Sequence, residues 1–220
     1  MNPKHPKPFM AEGQLALAWQ SASLLIGYPD EQLLSQAALL RDASYQLPDD
    51  IGAPLRRFID HLESTPLPQL AAEYVETFDL RRKCCLFLTY FAHGDTRKRG
   101  VALLKFKQTY QRAGLVLAAD ELPDHLSVVL EFGATADPLG AWSLLLDHRA
   151  GLELLRIALR DTESPWSDVL TAVTATLPAL RGHERDAVLR LAAEGPPDEE
   201  VGLEPFAPPE YMPTARGGQA

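Results

Sequence analysis

Cysteine is scarce in this sequence and long apolar runs are missing. Two cysteines occur in 220 residues, Cys84 and Cys85, side by side. Adjacent thiols cannot anchor a disulfide framework, and no CxxC, second pair or Cys/His ligand spacing accompanies them, which fits a reducing compartment. No segment reaches the ~18 uncharged apolar residues of a membrane span. The start, MNPKHPKPFMAEG, has two lysines without an apolar run of signal-peptide length behind them. A cytoplasmic protein with no direct membrane insertion is expected.

Catalytic signatures are also wanting. GxSxG, GxxxxGK[ST] and GxGxxG do not occur, and the six histidines are far apart with no HxxxH or HExxH pair. Neither a metal site nor an enzyme is expected, and no cofactor. A net charge of −9 and an isoelectric point near 5.1 argue against nucleic acid as a partner, because phosphate backbones require a basic face.

What is present is helical period. Apolar residues recur at three- and four-residue spacing nearly throughout, and β-type alternation between turn residues is missing. The fold class expected is all-α, a single-domain bundle of about ten short helices. A first helix over 10–26 places Leu15, Trp19, Ala22 and Ile26 on one stripe, and Asp30 is a fitting N-cap for the next. Helices follow over 51–64, after Pro68, over 81–92 and over 96–113, with Gly94 and Asp95 as stop and start between the last two. Pro123 suits the first turn of a helix through 132, while Asp137-Pro138 and Ser164-Pro165 open helices expected to run to about 159 and 180. A last helix covers 184–193. Residues 1–9 are expected to be a flexible N-terminus and 10–194 the helical domain. From 195 to 220 the chain turns acidic, with six prolines and four glycines, and a disordered tail without its own core is expected. No repeat of 20–50 residues is visible, which argues against a helical solenoid.

Three groups of residues could carry function. Cys84 and Cys85, followed by Leu86, Phe87 and Leu88, read as packed core. Arg81, Arg82 and Lys83 beside them keep a lowered thiol pKa open as the alternative. The second group is a concentration of charge: nine of the 21 Lys/Arg lie between residues 81 and 112 against one acid, leaving 12 basic and 29 acidic residues elsewhere. Arg97, Lys98 and Arg99 crowd the first turn of a helix, where the helix dipole opposes cations by ~0.3–1 kcal/mol each. Pairing with acids of other helices would relieve this, and so would a bound anion, which makes the three a possible anion contact. The third group is ELPDHLSVVLEFGA, residues 121–134, a helix start with Asp124 and His125 expected near the surface.

These stretches carry a resemblance. YVETFDLRRKCCLFLTYFAHGDTRKRG, ELPDHLSVVLEFGA and SLLIGYPDEQLL, in their order and separations, resemble the NarJ family, the assembly chaperones of respiratory nitrate reductase within the TorD-like group of molybdoenzyme chaperones. The likeness is strongest over 23–133 and rests on helical character alone over 137–193. It implies an all-helical, non-catalytic chaperone. Its partner would be the nitrate reductase catalytic subunit, bound at its N-terminal region, kept open for molybdenum cofactor insertion and parted from before the mature complex forms. By position the resemblance carries over Tyr74, Phe78 and Asp79, and Glu121, Asp124 and His125, as peptide or partner contacts: aromatic and aliphatic groups for the apolar face of a basic peptide, carboxylates for its cations. Two other readings remain at this point, a chaperone of a different molybdoenzyme and a carrier or enzyme that holds cofactor phosphates through Arg97, Lys98 and Arg99.

Overall fold

The computed structural model describes residues 5–94, 96–118 and 121–194. In chain order the helices are α1 Glu12–Ile26, α2 Glu31–Ser44, α3 Asp49–Ser64, α4 Leu67–Tyr74, α5 Tyr90–His93, α6 Arg97–Arg112, α7 Leu126–Thr135, α8 Pro138–Asp147, α9 Arg149–Asp161, α10 Trp166–Ala175 and α11 Gly182–Glu194. The last turn of α4 widens into a π-helix at Val75–Asp79, and a 3-10 turn follows at Arg82–Cys84. The all-α expectation holds, and none of these helices is long and apolar enough to cross a membrane.

Apolar periodicity fixes the centre of the bundle. One side of α1 buries Leu15, Trp19, Ala22, Leu25 and Ile26, and this side packs against α7, α10 and α2. Helix α3 joins α2 to α10, while α9 packs on both α10 and α11. Both indole N–H groups buried in this core are paired, as burial demands: Trp19 Nε1 donates to Thr176 Oγ1 at 3.0 Å and Trp166 Nε1 to the Leu25 carbonyl at 3.1 Å. Two helix starts are as expected, with Asp30 accepting from the Leu33 amide at 2.7 Å and Asp137 from the Gly140 amide at 2.9 Å.

Several boundaries differ from the sequence reading. Residues 81–92 are not one helix. After the 3-10 turn the chain extends, and Phe87 bridges antiparallel to His125, with the Leu88 amide donating to the Asp124 carbonyl and the Leu126 amide to that of Leu86, both at 2.9 Å. A run such as CCLFL is apolar at every position, so its period selects neither helix nor strand, and the distant partner decides. For the same reason α7 begins at Leu126, not at Pro123, whose carbonyl accepts the Tyr110 hydroxyl at 2.5 Å. The helix expected over 138–159 breaks at His148, and the one from Pro165 ends at Ala175, where Thr176 folds its hydroxyl back on the Val173 carbonyl. Asp95, expected to cap α6, and the tail 195–220 lie outside the described residues. Residues 5–9 lie against α8: Trp142 Nε1 donates to the Pro6 carbonyl at 2.7 Å and His5 meets Asp147 at 2.9 Å.

Candidate binding surface

Asp124 is fully enclosed, with 0% exposure, so the expectation of a surface carboxylate is overturned. Its Oδ2 accepts from the Thr89 amide at 3.2 Å and hydroxyl at 2.5 Å, and Arg99 Nη2 lies 3.6 Å away. Arg99 also donates from Nε to Thr89 Oγ1 at 3.2 Å and lies over the Phe87 ring. The carboxylate therefore clamps the extended strand 85–88 and the first turn of α6 to the start of α7. Of the three cations proposed as an anion contact, Arg99 is turned into this clamp, whereas Arg97 and Lys98 are exposed.

Around the clamp the surface is concave. An open pocket of about 270 Å³ is lined by Phe87, Glu121, Leu122, His125, Ser127 and Val128. A second of about 320 Å³ shares Glu121 and Val128 and continues between the segment 115–117 and the outer side of α7, where Glu131 and Phe132 line it. Together they form a groove with an apolar floor, made by Leu117, Val128 and Phe132, and two carboxylates at its edge. Leu115, Val116 and Leu122 stand 41%, 87% and 42% exposed along it. His125 is half-buried, its Nδ1 2.7 Å from Ser127 Oγ and its ring edge-on to Phe87. Burial holds its pKa below the ordinary histidine value, against the pull of Asp124, so it presents a neutral ring to the groove at pH 7.

Tyr74 and Phe78 gather elsewhere, in an aromatic corner. Their ring centroids are 4.8 Å apart, and both meet Trp166, at 5.6 and 5.5 Å, with Tyr28 edge-on to Tyr74 at 5.3 Å. Burial, with Asp79 nearby, pushes the Tyr74 hydroxyl up to about 12. Phe78 is half-buried, Asp79 is exposed, and Leu80 beside it is 73% exposed. The corner and the groove flank the same stretch of α1, since Ser23 donates to the Ser127 carbonyl on one side and Leu25 accepts from Trp166 on the other. Among the described residues no hydrogen bond or ring contact joins Tyr74 or Phe78 to Glu121 or His125 directly. Sequence reasoning missed Glu131, Leu115, Val116 and Tyr28. The apolar run after Gly114 was its one visible signal, because apolar residues with no helical period read as loop.

Both cysteines pack on the core, Cys84 fully and Cys85 in part. Cys84 is 1% exposed, and burial raises its thiol pKa despite Arg81, so a thiolate at Cys84 loses its basis. Among the described residues no group of three His, Cys, Asp or Glu side chains is placed to hold a metal.

Comparison with known proteins gives this arrangement relatives. The family described as nitrate reductase delta subunit matches residues 44–172. NarJ of Bacillus subtilis, assigned as a nitrate reductase molybdenum cofactor assembly chaperone, is 30% identical over 165 residues, covering 73% of this chain and 88% of its own. The Escherichia coli K12 chaperone of the same name is 33% identical over 148 residues, 66% of this chain and 63% of its own. The nitrate reductase-like protein NarX of Mycobacterium tuberculosis H37Rv is 38% identical over 161 residues, 73% of this chain, which spans only 24% of that longer protein. A crystal structure of a candidate redox enzyme maturation protein from Archaeoglobus fulgidus superposes with a TM-score of 0.55 at 22% identity, over 85% of this chain and 99% of the other, a likeness of fold.

Proposed function

The chain belongs to the nitrate reductase delta subunit family, and from that premise we propose that it is a dedicated, non-catalytic chaperone of respiratory nitrate reductase. It binds the N-terminal region of the catalytic subunit in the cytoplasm, keeps that subunit competent to receive the molybdenum cofactor, and leaves before the mature complex forms. The observation that carries the reading is the groove beside α7: apolar along its floor and edged by Glu121 and Glu131, with the corner of Tyr74, Phe78 and Asp79 on the other side of α1. An amphipathic cationic peptide fits such a surface, its apolar side laid on Val128 and Phe132 and its cations met by the carboxylates. His125 contributes a flat neutral ring to the groove, while Asp124 acts beneath the surface by holding the walls in place.

The test is calorimetric titration with a synthetic peptide of the catalytic subunit's N-terminus. Reversal of both edge charges, Glu121→Lys with Glu131→Lys, is expected to weaken binding ~10-fold or more, the scale of two charge-assisted contacts at ~1 kcal/mol each. In cells lacking the chaperone, the catalytic subunit should accumulate without molybdenum, and the doubly reversed variant should restore loading poorly. Unchanged affinity would remove the groove from the proposal; normal molybdenum content without the protein would remove the function.

A further inference from the structure

Helix α6 is attached to the bundle by little, and among the described residues nothing covers one side of it. Of its 16 residues only Phe106 and Tyr110 are buried. Arg99 and Lys105 reach acids of the body, Asp124 and Asp147, whereas Arg97, Lys98, Lys107 and Arg112 are exposed. Between these cations lie Val101, 71% exposed, and Leu104, 54% exposed. With 3.6 residues per turn, Arg97, Val101, Leu104 and Gln108 fall in one narrow sector. Lys98 and Arg112 lie to one side of it and Lys107 to the other. This is an apolar stripe edged with positive charge, about 24 Å long, on a chain that is otherwise strongly acidic.

The same sequence carries the complement of that stripe. Between residues 198 and 212 stand Asp198, Glu199, Glu200, Glu204 and Glu210, interleaved with Val201, Leu203, Phe206, Tyr211 and Met212, and no lysine or arginine. We propose that residues 198–212 dock on the exposed side of α6, their carboxylates against Arg97, Lys98, Lys107 and Arg112 and their apolar side chains on Val101 and Leu104. Reach is ample. Fifteen extended residues span ~46 Å at ~3.1 Å each, more than the helix. The segment follows the C-terminal end of α11, which packs on α9. Tethering in one chain makes the encounter intramolecular, with an effective concentration near the millimolar range for a short flexible link, so weak individual contacts suffice. The docked segment neutralises this cationic stripe and keeps it from anionic surfaces.

A nitroxide on Ala207→Cys, in a Cys85→Ala background that leaves only the buried Cys84, reports the position of the segment by broadening nearby amide resonances of the full-length chain. At about 0.1 M salt the amides of 97–112 should lose intensity about two-fold or more, and recover at about 1 M, where the screening length falls from ~10 to ~3 Å. The loss should also vanish in Arg97→Glu/Lys98→Glu/Lys107→Glu/Arg112→Glu, and shrink in the milder Leu104→Glu, each checked for helicity by circular dichroism. Broadening spread evenly over the molecule, or centred on the α7 groove, would overturn the proposal. So would broadening of α6 that arises only between molecules, in a mixture of spin-labelled and isotope-labelled chains, because the occupant would then be a second copy.

Discussion

Asp124 shows how differently one residue reads in sequence and in space. In ELPDHL it stands where an acidic side chain complements a helix start. In the fold its carboxylate is removed from water and meets Thr89, 35 residues earlier, and Arg99, which is itself largely enclosed. Truncation would leave a buried guanidinium and two Thr89 donors facing an apolar gap, a loss of about 3 kcal/mol in unfolding free energy. Asp124→Ala is therefore expected to shift the urea transition strongly at pH 7. Asp124→Asn, which keeps an oxygen for Thr89 and gives up the charge, should lose less. If Asp124→Ala unfolded like the unmodified protein, the clamp would be of no consequence to stability. The motif itself was legible in the chain, but its role was not, because local pattern does not reveal a partner 35 residues away.

At the level of helices, legibility followed period and capping. Helices α1 to α4 declare themselves through regular apolar stripes, α2 to α4 also through an aspartate or proline at their starts, and their boundaries moved by a few residues at most. The segment 85–88 declares nothing of the kind, Pro123 signals the start of α7 three residues early, and the two stretches pair with each other at Phe87 and His125. Packing between α1 and α7 depends on a small residue that the sequence did not single out. A Cβ on Gly133 would stand 2.5 Å from the Trp19 ring and 2.6 Å from the Ala141 Cβ, closer than atoms tolerate. Gly133→Ala should raise helix propensity by ~1 kcal/mol and yet destabilise the protein by ~1–3 kcal/mol net, as α7 is pushed off α1. Equilibrium unfolding measures that sign directly, and a stabilised variant would mean that the two helices can separate freely.

Over the whole molecule, charge is divided between two kinds of surface. The stretch 81–112 holds nine cations and one acid, and the rest of the chain carries 29 acids against 12 cations. The α7 groove belongs to the acidic part, with Glu121 and Glu131 on its edge, while α6 displays the basic part. That division was legible from the sequence as a count. Which cations are consumed internally, as Arg99 is, and which acids edge a concave surface required the fold. A cationic client peptide would be drawn by the acidic part at long range and held by apolar contact at short range, and salt separates the two contributions because it screens only the first. Raising salt from about 0.1 to 1 M should weaken peptide binding several-fold without abolishing it, the residue being apolar burial at ~25 cal/mol per Å². In Glu121→Gln/Glu131→Gln the affinity at low salt should already be reduced and its salt dependence shallower, since much of the screened attraction is gone. Affinity independent of salt in both proteins would mean that shape and apolar contact alone select the client, and that the acidic edge of the groove serves solubility.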